Sequence, residues 1–142
     1  MSDSTDGLRR TPVVTAFLRY GGRVLVVRRS RKVGSYPGRW SAISGYLEDS
    51  TPLEQALREI REETGLGDEA VRLVAAGEPL DVPAPELDTC WVVHPFLFDI
   101  SDPGAVRLDW ENIELRWVTP EQLCELPTVP ALVEALSAVM GA

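Results

Sequence analysis

The spacing of apolar and polar positions divides the chain into short segments that change period several times. "TPVVTAFLRY" (residues 11–20) and "GRVLVVRR" (residues 22–29) are β-branched, apolar runs separated by Gly21 and Gly22, a pattern that predicts two strands joined as a hairpin. "KVGSYPGRW" holds Gly34, Ser35, Pro37 and Gly38 and predicts a loop. "WSAISGYL" predicts a short strand. From Leu53 the period becomes helical. Thr51 supplies an N-cap, Pro52 the first helical position, Glu54 the capping-box acid and Gly65 the residue just past the end. "VRLVAAGEPL", "DTCWVVHPFLFDI" and "IELRWV" predict further strands, the second long and largely apolar. "TPEQLCEL" and "VPALVEALSAVM" predict helices, the first opened by another T-P-x-Q cap and the second starting near Pro130. The two prolines of "DVPAPELD" predict a loop. With no internal repeat and no low-complexity segment, the pattern predicts one mixed α/β domain over residues 1–142, with residues 1–10 as a flexible N-terminal segment.

A chain of 142 residues can bury a core without covalent staples. Cys90 and Cys124 match no zinc or redox spacing, and reduced thiols in a cytoplasmic protein are the expectation. "MSDSTDG" contains no apolar stretch of signal-peptide type, and no apolar run approaches membrane-spanning length. The net charge of −8 argues against duplex nucleic acid or an anionic membrane as the main partner. That charge is unevenly divided. Between Gly7 and Leu47 there is no acidic residue, while Arg9, Arg10, Arg19, Arg23, Arg28, Arg29, Arg31, Lys32 and Arg39 all fall there. Such a division fits plain solubility, and it also fits a cleft where an anion meets a metal ion.

On a helix of about 100° per residue, Leu53, Ala56, Leu57 and Ile60 share one face. Glu59, Glu62 and Glu63 fall on an adjacent arc of roughly 100°, while Glu54 lies elsewhere. Like charges at these spacings repel, and they crowd the helix end where the macrodipole disfavours them. Arg58 and Arg61 offset part of that cost. Helix physics alone leaves two readings, a solvated acidic helix end or a set of oxygen ligands for a hard divalent cation.

The stretch "GYLEDSTPLEQALREIREETGL", Gly45 to Leu66, resembles the Nudix box, G-x5-E-x7-R-E-U-x-E-E-x-G-U with U a bulky aliphatic residue. Arg58, Glu59, Ile60, Glu62, Glu63, Gly65 and Leu66 fit the second half without a gap. The first half departs: Ser50 stands where the first glutamate is usual, and the loop from Gly45 is one residue shorter. "GRWSAISGYLE" keeps Gly38, Trp40, Gly45 and Glu48 of a second family pattern, with Ile43 and Ser44 in place of its proline and glycine. The resemblance runs from about Thr11 to the C-terminal helix. It implies a Nudix-type α/β/α sandwich with a mixed central sheet.

The same resemblance implies hydrolysis of a pyrophosphate bond in a nucleoside diphosphate linked to another group, with Mg²⁺ or Mn²⁺. Nucleoside triphosphates, nucleotide sugars and dinucleotides are the expected small-molecule partners, and a homodimer is a further expectation. Bound cations neutralise a pyrophosphate and acidify water. By resemblance, Glu59, Glu62 and Glu63 would be the metal ligands, with the Gly45 carbonyl as a further one. Arg58 would orient a glutamate; its usual partner is missing at Ser50, and Glu48 is the candidate replacement. The general base stays open between Glu62 and Glu63 within the box and Glu111 and Glu114 in "DWENIELRW"; the expected catalytic set is Arg58, Glu62, Glu63 and Glu114. His94 reads as a half-buried strand histidine. Arg28, Lys32 and Arg39 are the expected phosphate-binding residues, since guanidinium groups grip phosphate in bidentate fashion. Tyr36 and Trp40 lie among them, where either ring could stack on a base, although Trp40 also suits the core. Ser50 and the short loop suit a silent nucleotide- or protein-binding module as the alternative. An isomerase of isopentenyl-diphosphate type would need a cysteine context that Cys90 and Cys124 do not provide.

Overall fold

The computed structural model describes residues 7–140. Strands β1 (Arg9–Tyr20) and β2 (Arg23–Arg29) form the expected hairpin, with Gly21 and Gly22 at φ of 59° and 79°, the left-handed pair that a two-residue hairpin turn requires. Arg9 and Arg10, expected in a flexible segment, open β1, because β7 (Thr89–Ile100) runs parallel to it from Arg9↔Thr89 onward. Residues 1–6 of that expected segment lie outside the described residues.

"WSAISGYL" is two strands. β3 (Trp40–Ser41) pairs with β2, and after Ala42 the chain crosses to pair β4 (Ile43–Tyr46) with β1. This crossing carries Gly45 to the sheet's edge beside helix α1 (Pro52–Thr64). The Thr51 hydroxyl accepts from the Glu54 amide at 3.1 Å, and Gly65 at φ 80° donates its N–H to the Arg61 carbonyl at 2.9 Å. Helix start and stop therefore follow their local signals.

β5 (Val71–Ala76) and β6 (Leu80–Ala84) both pair antiparallel with β7, one along each half of that long strand. The "DVPAPELD" segment, expected as a loop, thus begins inside a strand. Pro83 is tolerated because β6 has β7 as its one neighbour, so the missing N–H faces away from the ladder. β8 (Asn112–Val118) pairs with β2. The expected helix "TPEQLCEL" is a single turn, α2 (Pro120–Leu123), with both capping-box bonds between Thr119 and Gln122. Pro127 cannot continue a helix, and the chain turns out of it at Cys124. α3 (Leu132–Met140) starts after Ala131, which sits at φ 68° and so ends the preceding turn.

The result is an eight-stranded mixed sheet, with β1–β7 parallel and the other pairings antiparallel, covered on both faces. Alternation sorts the core into two layers. Val14, Ala16 and Leu18 of β1 and Phe96, Phe98 and Ile100 of β7 face Ala56 and Ile60 of α1. Phe17 and Leu97 face the other way, onto Leu132, Leu136 and Val139 of α3. Burying each such side chain contributes about 1.5–3 kcal/mol. This is the α/β/α sandwich that the resemblance implied. Among the described residues, no helix is long and apolar enough to cross a membrane.

Candidate active site

The helix arc of three glutamates does not lie evenly against solvent. Glu63 is 3% exposed, Glu59 is half-buried and Glu62 has a side chain 53% exposed. Periodicity placed them together; the sheet edge decided which is swallowed. Glu63 Oε1 accepts from the Asn112 side-chain amide at 3.2 Å, while its Oε2 is buried without a hydrogen-bond partner. Burial drives the Glu63 carboxyl well above the ordinary carboxylate range, and the neighbouring Glu59 and Glu111 push it the same way, against the Asn112 amide. Glu59 is also raised, first by burial and further by the Glu62 charge, while contact with the Glu63 carboxyl and the Gln55 hydrogen bond oppose that.

Asn112 reaches Glu63 through an irregularity in the ladder. Arg28 stands opposite Glu114, but Arg29 stands opposite Asn112, so Ile113 is left over as a bulge. The bulge turns Asn112 and Arg29 toward α1 and leaves Arg28 and Glu114 as a pair on the other face, 3.6 Å apart. Glu111, one residue before β8, passes its carbonyl to the Ser30 N–H at 2.8 Å. Its carboxyl is raised by burial first, then by Asp109 and Glu59, while Arg29 pulls it down. Arg29 itself is half-buried; its Nε donates to the Ser35 carbonyl at 2.9 Å and its Nη2 to the Ser35 hydroxyl at 3.3 Å. Burial lowers its pKa, and the fields of Glu63 and Glu111 oppose that.

Beneath these groups lies Gly45. A Cβ built there would overlap the Glu59 carboxylate, so a larger residue would push that carboxylate out of this pose. A cleft of about 640 Å³ opens from this point. Glu48, Glu59, Glu62 and Glu111 stand on its acidic side, and Arg29 and Lys32 are its cations. Tyr36, Tyr46, Trp91 and Trp110 supply aromatic surface. Tyr36 is held at φ 49°, and its hydroxyl accepts from the Trp91 indole N–H at 3.1 Å. The Tyr46 and Trp91 rings lie 6.2 Å apart, tilted by 44°.

Of the residues expected from the sequence, Glu59, Glu62, Gly45 and Lys32 line this cleft, and Glu63 is buried beside Glu59 outside its lining. Arg58 lies beside them: its Nε donates to Glu62 at 3.1 Å, and its Nη1 to Asp49 at 3.4 Å. Asp49, not Glu48, is therefore the bonded loop partner. Glu114, Arg28 and Arg39 are not brought to the cleft. Arg28 donates to the Gly38 carbonyl as well as facing Glu114, and Arg39 donates to the Thr128 carbonyl. Trp40 belongs to the core on the α3 side, with the Arg116 guanidinium 4.8 Å from its ring. Sequence reasoning did not single out Asn112, Asp49, Gln55, Tyr46 or Trp91. Only the position of Gln55 one helical turn before Glu59 carried a local signal.

Among the described residues, no three His, Cys, Asp or Glu side chains already close around one point as a metal cage. Glu62 is drawn aside to Arg58, and it is exposed enough to turn. The donor chemistry nonetheless fits a hard divalent cation: all the convergent groups are oxygens, one of them a buried carboxylate oxygen without a partner.

A family model of the NUDIX domain matches residues 9–138, and the chain belongs to that family. It is 30% identical over 111 residues to a Mycobacterium tuberculosis protein provisionally named 8-oxo-dGTP diphosphatase 3, covering 77% of this chain and 51% of that protein. The chain thus spans about half the length of that relative. It is 28% identical to a MutT-like protein of Streptomyces ambofaciens, over 95% of this chain and 80% of the relative. A crystal structure of a MutT Nudix hydrolase from Burkholderia pseudomallei superposes with a TM-score of 0.71 at 24% identity, covering 93% of this chain and 99% of that one. At that identity the likeness is one of fold.

Proposed function

We propose that this domain hydrolyses a pyrophosphate bond in a nucleoside diphosphate linked to another group, with Mg²⁺ or Mn²⁺. The observation that carries this reading is the buried, unpartnered Oε2 of Glu63 beside Glu59 at the Gly45 edge of an aromatic-walled cleft. Leaving a carboxylate oxygen buried and unpaired is costly, and a cation removes the cost. Glu59, Glu62, Glu63 and the Gly45 carbonyl would hold it. When bound, the cation neutralises the pyrophosphate and acidifies water. Lys32 and Arg29 meet the outer phosphate oxygens, and the ring faces of Tyr36, Tyr46, Trp91 and Trp110 take the base. Arg58 orients Glu62 through the bond between them.

In the reaction a water oxygen bonds to phosphorus, the bridging P–O bond breaks, and the water's proton passes to a carboxylate. Glu111 is better placed for that proton than Glu114, since it lines the cleft and its raised pKa suits a base. The name of the Mycobacterium tuberculosis relative favours an oxidised nucleoside triphosphate as the first substrate to try. Both cysteines are free, in keeping with a cytoplasmic protein. A hydrolysis panel of nucleoside triphosphates, oxidised nucleotides, nucleotide sugars and dinucleotides with Mg²⁺ or Mn²⁺ tests the reading. No turnover on any of them, together with no metal binding, sinks it. Equal turnover in wild type, Glu62→Gln and Glu63→Gln would show that the site lies elsewhere.

A further inference from the structure

Gln55 is completely buried, at 0% exposure, yet it is a polar side chain that neither resemblance nor catalysis requires. Its Oε1 accepts two backbone N–H groups, from Glu48 at 2.7 Å and Asp49 at 2.8 Å. Its Nε2 donates to Glu59 Oε2 at 2.7 Å. The orientation of the amide is forced. Backbone N–H groups can only donate, so the atom facing them must be the oxygen, and the NH₂ must then face the carboxylate. The connection is also geometrically direct, because residues 55 and 59 are one helical turn apart.

We propose that Gln55 is a positioning residue of the carboxylate site: its amide ties the Glu48–Asp49 backbone to Glu59 and holds that carboxylate in the pose facing Gly45. The inference rests on the metal-dependent reading above. Two features make the tie necessary in this chain. The loop before α1 has serine at position 50, and its Leu47 end is anchored to the Pro12 carbonyl at 3.0 Å. Between Leu47 and the Thr51 cap, Gln55 is the side chain that fixes the loop backbone. The same loop presents Asp49 to Arg58, which in turn holds Glu62. Gln55 thereby orders Glu59 directly and Glu62 through Asp49 and Arg58. A carboxylate that arrives at a cation already oriented binds it more tightly, because less side-chain freedom is lost.

The test is a double-mutant cycle read by calorimetric Mn²⁺ binding on wild type, Gln55→Met, Glu59→Gln and the double variant, with kcat and KM on the best substrate alongside. Methionine keeps the length and helix propensity of glutamine and removes both hydrogen-bonding ends. Gln55→Met should weaken Mn²⁺ binding about tenfold and lower kcat while KM for substrate stays within about twofold. In the Glu59→Gln background the same change should have less than about a twofold effect on Mn²⁺ binding. Mn²⁺ affinity within twofold of wild type in Gln55→Met, or an undiminished tenfold loss without Glu59, overturns the inference. A wild-type protein that binds no Mn²⁺ overturns the metal reading and takes this inference with it. Should Gln55→Met not fold, the wild type still decides. The Gln55 side-chain NH₂ resonances should be protected from solvent exchange and should shift as Mg²⁺ is added. Free exchange, or no shift while Mg²⁺ binds, counts against the role.

Discussion

Two carboxylate clusters in this molecule obey opposite electrostatics. On β7, Asp99 lies directly opposite Arg19 of β1 and Arg72 of β5. It accepts from Arg19 at 2.7 and 3.1 Å and from Arg72 at 2.8 Å, and these bonds hold its carboxyl below the ordinary range. Every charge there has its partner. At the Gly45 edge, Glu59 and Glu63 are more deeply buried, and burial pushes both upward instead. Arg29, half-buried nearby, gives two of its five N–H groups to Ser35 and no hydrogen bond to these carboxylates. The first cluster is satisfied and belongs to the sheet. The second holds more carboxylates than cations, and strongly shifted carboxyls in a cleft are a mark of functional sites.

The largest expected effect separates the two clusters by turnover. Glu63→Gln should lower kcat on the best substrate by on the order of 100-fold or more, whereas Asp99→Asn should stay within about twofold of wild type. Equal losses in both would mean that the first change acts through folding and not through the site. Next in size is the contrast between the two acids flanking the bulge. Glu111→Gln should cost on the order of tenfold in kcat, while Glu114→Gln, beside Arg28 and off the cleft, should change it less than about twofold. A reversal would restore Glu114 as the base.

Stability should move in opposite directions at the two places. In metal-free protein near neutral pH, Glu63→Gln removes the cost of burying an acid whose ionisation the fold opposes, and should raise Tm by about 4 °C. Asp99→Asn should lower Tm by a similar or smaller amount, about 4 °C at most, from loss of roughly 1 kcal/mol. Thermal melts with a chelator present check both signs.

The pH dependence is the subtlest of the four. The folded-state pKa of Glu63 is raised, so its contribution to stability is fully present below its ordinary value of 4.5 and is lost as pH rises through the folded value. Asp99 is lowered, so its contribution is present above its ordinary value of 3.8 and is lost as pH falls through the folded value. Metal-free Tm should therefore decline as pH rises above 4.5, and that decline should flatten in Glu63→Gln but persist in Asp99→Asn. A wild-type Tm that is level across this range would show that Glu63 ionises as an ordinary surface acid.

Local chemistry determined a good deal on its own. The Gly21-Gly22 turn, the Thr51 cap, the Gly65 stop and the arc of Glu59, Glu62 and Glu63 all depend on residues within a turn or two of each other, and the structure keeps each of them. At α1 the Thr51 hydroxyl caps the Glu54 amide, while both bonds of a capping box are formed at α2. What spacing could not reveal is the gradient along that arc. Glu63 is buried and Glu62 exposed because β8 arrives from 49 residues away in sequence, at a register that one bulged residue shifts. The same shift brings Asn112 toward Glu63 and leaves Glu114 outside. Similarly, Pro83 looked like a loop residue until β7 offered it an edge with no N–H to satisfy. Gln55 looked like one more helix former until the shortened loop folded its amides onto it. Helix ends and periodicity are near-neighbour effects, so the sequence alone determined them. Which carboxylate loses its water, and which cation fails to reach it, depends on strands paired across the whole chain, and only the tertiary structure decided that.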